Sequence, residues 1–249
     1  MSNDSRIRGS SFPTTQMSAI VGLRSDDLSL RSQATELIAT VYWKPIYKYI
    51  RLKWNKPSED AKDLTQGFFT RVLEKDFFRT YDPTMARFRT FLRTCVDGYV
   101  SNEEKASHRI KRGGDSPVES VDFNSAEMEI KLCALPAGGS MEDYFYREWV
   151  RSLFSMAVDI LRQQCATAGK TTQFRVFERY DLNEDRATGE ITYDALAGEV
   201  GIPVSQVTNY LAYARREFRR IVLEKLREIT ADDEEFRNEA RWVLGANLK

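Results

Sequence analysis

Between Ser58 and Gly114 the sequence carries two amphipathic helix patterns in tandem, and any fold must bury both apolar faces. In the first, Ala61, Leu64, Phe68, Val72 and Leu73 recur at helical spacing. Ser58 is placed to cap it, with Glu59 and Asp60 in the first turn, where the helix dipole favours acids. Tyr81-Asp82-Pro83 reads as a turn. In the second, Phe88, Phe91, Leu92, Cys95, Val96, Tyr99 and Val100 follow the i, i+3, i+4, i+7 rhythm. Arg87, Arg89 and Arg93 lie off that stripe. The pattern runs on through Asn102, Lys105, His108, Arg109, Lys111 and Arg112 until Gly113-Gly114 stops it. Such a helix packs on one side and can meet an anion on the other.

The rest of the chain has the same helical rhythm, so the expected fold is all-α. Residues 1–15 are polar and read as disordered. A helix rich in aromatics spans about Glu36–Trp54, with Trp43, Tyr47 and Ile50 on one face; Pro45 should kink or split it. Residues 113–140 are bracketed by Gly and Pro and carry Asp115, Glu119, Asp122, Glu127 and Glu129 against Lys131 alone, so they read as an acidic, flexible linker. Beyond it, Tyr144, Phe145, Trp149, Leu153, Phe154, Ala157 and Leu161 make one apolar face, ending near Gly169, and a second helix covers roughly 171–180. Thr192 then caps a short helix, Gly201 supplies a turn, and Val207, Leu211, Ala214 and Phe218 form the inward stripe of the next helix. That is a helix-turn-helix pattern, which a plain helical hairpin also satisfies. The tail from 231 is one more helix, with Phe236, Ala240 and Val243/Leu244 on one side.

Composition removes several classes of function. Lys plus Arg and Asp plus Glu are equal at 37 each, so DNA binding must come from local patches or a partner. The single histidine and the scattered Cys95, Cys133 and Cys165 offer no metal site or disulfide framework. No phosphate loop, nucleophile elbow or zinc-protease motif is present. Asp181-Leu182-Asn183-Glu184-Asp185 lacks the central Gly and closing Glu of a calcium loop and reads as a solvated turn. The chain is therefore expected to be no enzyme and to need no cofactor. With no apolar leader or membrane-length run in the sequence, a cytoplasmic location is expected.

The central segment resembles the second conserved region of a bacterial RNA polymerase sigma factor of the extracytoplasmic-function (ECF) group. The residues that carry the likeness are Asp60-Ala61-Lys62-Asp63-Leu64-Thr65-Gln66 with Phe68-Phe69, then Asp82-Pro83, Arg87-Phe88-Arg89-Thr90-Phe91-Leu92, and Lys111-Arg112-Gly113-Gly114. Phe12-Pro13-Thr14-Thr15 and Tyr42-Trp43-Lys44-Pro45-Ile46-Tyr47 fit the same group. The C-terminal helix-turn-helix, placed behind a linker, resembles the fourth region, which reads the minus-thirty-five promoter element. The resemblance implies two helical domains, 16–112 and 141–230, joined by the linker 113–140 and followed by a helical tail, 231–249.

Carried over residue by residue, the resemblance implies three surfaces. Asp60, Asp63, Leu64, Gln66 and Phe69 would bind core polymerase. Arg87, Arg89, Arg93, Asn102, Lys105, His108, Arg109, Lys111 and Arg112 would hold the minus-ten strand, although each alone is equally part of a solvated face. Ser205, Gln206, Thr208, Asn209, Tyr213, Arg215 and Arg216 would read the upstream element, Gln206 and Asn209 suiting adenine edges and the arginines phosphates. The implied partners are core RNA polymerase, through its beta-prime clamp and beta flap, and promoter DNA; an anti-sigma factor is a further candidate. Gly67 stands where the group has an acid, Asp97-Gly98 where it often has Lys-Asn, Glu104 where it has a base, Thr208-Asn209-Tyr210 where it has Lys-Ser-Arg, and Tyr213 at a frequent Arg. Both DNA-facing surfaces are thus less basic than is usual for the group. Two other readings stay open: a sigma-like adaptor that binds polymerase without initiating, and a free-standing helix-turn-helix regulator.

Overall fold

A proline sits inside an unbroken helix at the centre of the molecule. The computed structural model describes residues 18–74, 77–106, 121–132, 139–182 and 191–245, and these form helices and the turns between them. Helix α1 (Ala19–Gly22) leads into α2 (Leu28–Lys53), capped by Asp27, whose carboxylate accepts from the Ser29 amide at 2.8 Å. The helix begins at Leu28 rather than near Glu36, and it continues through Pro45 instead of splitting there. Proline removes the amide that would bond the Val41 carbonyl. The Ser152 hydroxyl of helix α6 (Met141–Thr167) donates to that carbonyl at 2.9 Å. The orphaned acceptor is satisfied from outside, and α6 is tied to α2 at the same point.

Around α2 lie α3 (Ser58–Glu74), a short 3-10 turn (Phe77–Thr80), α4 (Phe88–Ala106), α5 (Phe123–Leu132) and α6. Ile38, Tyr42, Ile46, Tyr47, Tyr49 and Ile50 of α2 are all buried. They meet Phe68 and Phe69 of α3, Phe88 and Leu92 of α4, and Phe145, Trp149 and Leu153 of α6 in one apolar cluster. Trp149 stacks on Tyr42, with ring centroids 6.2 Å apart and planes 25° from parallel. Lys48 of α2 is buried between Glu148 of α6 and Glu129 of α5. Helix α6, read from the sequence as the start of a separate C-terminal unit, is therefore built into the core of the N-terminal half.

The segment 113–140 also departs from a flexible linker, because α5 lies in its middle. Phe123 packs against Tyr47 at 4.9 Å and Trp43 at 5.4 Å between ring centroids. Its acids have basic partners on α2: Glu127 takes Arg51, and Glu129 takes Lys44 at 2.7 Å as well as Lys48. Residues 107–120 and 133–138, with Cys133, lie outside the described residues, as does the N-terminal segment 1–15. No described helix is long and apolar enough to cross a membrane.

The remaining helices are α7 (Thr171–Phe177), a π-helical turn (Glu178–Leu182), α8 (Tyr193–Val200), α9 (Val204–Glu228) and the tail helix α10 (Asp233–Leu244). The lower part of α9 and all of α10 join the main cluster through Ile221, Val222, Leu226, Phe236 and Ala240. A second, small cluster of Val176, Leu196, Ala197, Val207 and Leu211 holds α8 to the start of α9. The divide between cores thus falls at the helix-turn-helix tip.

Gly67 is explained by packing. A Cβ added there would run into the Tyr99 hydroxyl of α4. Gly67→Ala is expected to destabilise by about 1–3 kcal/mol through overpacking. In a Tyr99→Phe background, where the added carbon would meet only the ring carbon at 3.6 Å, the same change should stabilise by up to about 1 kcal/mol, as alanine does in a helix. Urea unfolding of the four proteins checks this; a loss of equal size in both backgrounds would count against the contact. The Ser58 hydroxyl, expected as a cap for α3, instead lies 2.9 Å from the Tyr47 hydroxyl.

Candidate nucleic-acid interface

The helix-turn-helix is assembled by local chemistry. Thr192 Oγ1 accepts from the Ala195 amide at 3.2 Å and starts α8. Gly201 ends it in the left-handed region at φ 72°, where a side chain would be strained. Pro203 then leads into α9, whose Val207 and Leu211 turn inward. Ser205, Thr208 and Asn209 remain on the open face, as does Arg216, 69% exposed, although its Nε lies 3.5 Å from Glu217 and its guanidinium 5.6 Å from the Tyr213 ring centroid.

The other three expected reading residues are engaged within the chain. Gln206 Oε1 accepts from the Tyr210 hydroxyl at 2.9 Å. Tyr213 is half-buried, with the Lys170 ammonium 4.2 Å from its ring centroid. Arg215 donates from two nitrogens to Asp181 at 2.8 and 2.7 Å, fastening the π-helical turn to α9. That fork uses the geometry a phosphate would otherwise take.

Arg87, just before α4, and Arg89 and Arg93 within it are also paired. Arg89 is only 13% exposed at its side chain and forms an ion pair with Glu239 of α10; its guanidinium lies 4.1 Å from the Tyr146 ring centroid and 5.5 Å from that of Trp149. Arg87 Nε lies 3.7 Å from the same carboxylate. Arg93 pairs with Glu142 at 3.1 Å and Asp97 at 3.6 Å. Asn102 and Lys105 are exposed further along α4. His108, Arg109, Lys111 and Arg112 lie outside the described residues.

On α3, Asp60 and Asp63 are exposed, and Leu64 and Gln66 are half-buried. Phe69 is a correction: it is fully buried, 5.5 Å from Phe68, and belongs to the core rather than to a contact surface. It follows Phe68 by one residue and turns inward with it.

Sequence reading missed Glu235 and Glu239, and it noted Asp97 and Asp181 without their partners. Asp97 accepts from Tyr49 (3.1 Å), Lys53 (2.8 Å) and Trp54 Nε1 (3.2 Å), so this acid ties α4 to the end of α2. Glu235 is buried and accepts from the Phe88 amide at 2.6 Å, at the start of α4, and from the Ala231 amide at 2.8 Å. One signal for these acids was available: Glu235 and Glu239 share the face of Phe236 and Ala240, and an acid on an apolar face calls for a cation opposite it.

The carboxylates divide in their pH behaviour. The Arg51 hydrogen bond holds Glu127 below the usual range against the opposing effect of burial. Burial pushes Glu129 upward, but Lys44 and Lys48 together outweigh it and hold that carboxyl low as well. Both therefore add stability above the unfolded Glu value near about 4.3 and lose it as pH falls through their folded values. Glu239 is the reverse: burial raises it above the usual range despite Arg89 and Arg87. Its contribution is full in acid and is lost as pH rises through the raised value. On acidification below about pH 4.3, amides of α5 are expected to lose hydrogen-exchange protection before those of α10; the opposite order would contradict these environments.

No protein-family model, curated protein or solved structure matches the chain.

Proposed function

We propose that the chain is an alternative sigma factor of the ECF kind, which binds core RNA polymerase and directs it to promoters. One observation carries this reading most: an open row of Ser205, Thr208, Asn209 and Arg216 on the second helix of a helix-turn-helix, in a chain whose α3–α4 pair carries the sigma-like motifs. Polar side chains at the start of such a helix suit base edges in the major groove, and Arg216 suits a phosphate. Asp60 and Asp63 give α3 an acidic face toward a polymerase subunit. In this reading α2–α4 and α8–α9 work as two units on two promoter elements, and catalysis belongs to the polymerase.

The test is run-off transcription with purified core enzyme on promoters of the host. Specific initiation is expected, and both Asp63→Arg and the pair Asn209→Ala with Arg216→Ala should abolish it without shifting thermal unfolding. Arg215 is a poorer probe, because its loss would free Asp181 and loosen the tip.

The ion pairing of Arg87, Arg89 and Arg93 within the chain favours one second reading, the adaptor. Core binding without initiation on any template would select it. No binding to core at all would remove both and leave the free-standing regulator.

A further inference from the structure

The tail helix α10 meets α4 where the candidate strand-binding arginines begin. Glu239 takes Arg89 and approaches Arg87. Glu235, one helical turn earlier, takes the amide of Phe88, the first residue of α4, and lies 3.4 Å from the Tyr81 hydroxyl. Two carboxylates thus occupy a helix N-terminus and an arginine pair, the combination of dipole and cation that receives phosphate oxygens. We infer that α10 is an intramolecular competitor for nucleic acid: it covers Arg89 while Arg87 beside it stays 41% exposed, and a single strand must displace it to take both arginines. This rests on the reading above insofar as these arginines are taken to meet DNA.

The contact has the features of a releasable one. Its apolar part is small, chiefly Phe236 and Ala240, while Trp242 stays 58% exposed at the edge against Tyr146. Among the described residues Glu239 Oε2 finds no hydrogen-bond donor, and the Tyr146 hydroxyl and Trp149 Nε1 are likewise unmatched. A docked state with unmatched buried polar atoms is held less firmly than its area suggests. Displacement would exchange two carboxylates for phosphates on the same donors, so the cations of α4 stay neutralised in both states.

The experiment uses the full chain and a fluorescein-labelled single-stranded 20-mer. Phe236→Ser, which removes the apolar anchor of α10, should bind it about tenfold more tightly than the natural chain, with a salt slope steeper by about 0.7 for each arginine freed. Adding Arg89→Ala to that variant should remove most of the gain. As a check that needs no substitution, saturating the natural chain with the 20-mer should speed hydrogen exchange across 233–244. Equal affinity and equal salt slope in a variant whose α10 amides exchange freely would overturn the inference, as would strand binding that leaves α10 protection unchanged. Run-off transcription separates the two failures. Initiation with no gain in the variant sinks the competitor alone. A gain with no initiation keeps the competitor and sinks the sigma reading.

Discussion

Lys48→Met should unfold at markedly lower urea concentration, with a loss of about 3 kcal/mol, the cost of leaving a buried charge without its partner. Lys48 is 1% exposed and Glu148 2%. Glu148 keeps Arg151 at 2.5 Å, but that arginine is 58% exposed and screened by water. Glu129 keeps Lys44 at the rim, so most of the loss arises at Glu148. The double change Lys48→Met with Glu148→Leu should recover most of it, since replacing a buried pair by apolar side chains of similar volume is often neutral or better. A single variant with an unchanged midpoint would mean that water reaches the pair and that α2 and α6 are not packed as described.

Trp149→Ala carries an expected loss of about 3–5 kcal/mol, the range for truncating a large buried aromatic. Its distribution matters more than its size. Trp149 stacks on Tyr42 of α2, lies beneath Arg89 of α4, and sits 5.5 Å from Tyr146, which touches Trp242 of α10. One cluster joins all of these elements. Hydrogen exchange should therefore accelerate together in α2 and α4, within a single unfolding transition, with α10 at least as fast as either. Two transitions, with α2 and α4 still protected while α6 and α9 open, would show instead that the halves fold as independent domains.

What was legible in the sequence was local. The stripe Tyr144–Leu161 became α6, Val207, Leu211 and Ala214 of α9 are buried where the period put them with Phe218 half-buried, and the tail formed its helix around Phe236 and Ala240. Periodicity names a face, but it does not name the partner of that face. Nothing within a few residues of Arg89 announces Glu239, 150 positions away, or sets Ser152 beneath the carbonyl that Pro45 orphans. Helix α5 was overlooked because Gly and Pro flank it and its acids read as solvated, although Phe123, Ala126 and Ile130 already had helical spacing. Phe69 was misassigned because, of two adjacent aromatics, both turned inward. Arg215 illustrates the general difficulty at the candidate interface: an exposed cation and one held by Asp181 look alike in sequence.

The burial of Lys48 against Glu148 has a consequence for how the protein is made. The two residues are 100 positions apart, and at about 5–20 residues per second a ribosome needs roughly 5–20 s to deliver the second after the first. During that interval α2 has emerged with its aromatic face, yet α6, which completes its cover after α3, α4 and α5, has not been synthesised. The N-terminal half cannot close its core early and wait, as a free-standing domain would; it stays open until α6 arrives. Each newly made chain thus passes through a period in which α2 is the segment that most needs a chaperone, and shortening translation between residues 48 and 148 should improve the yield of folded protein more than changes after α6 has emerged.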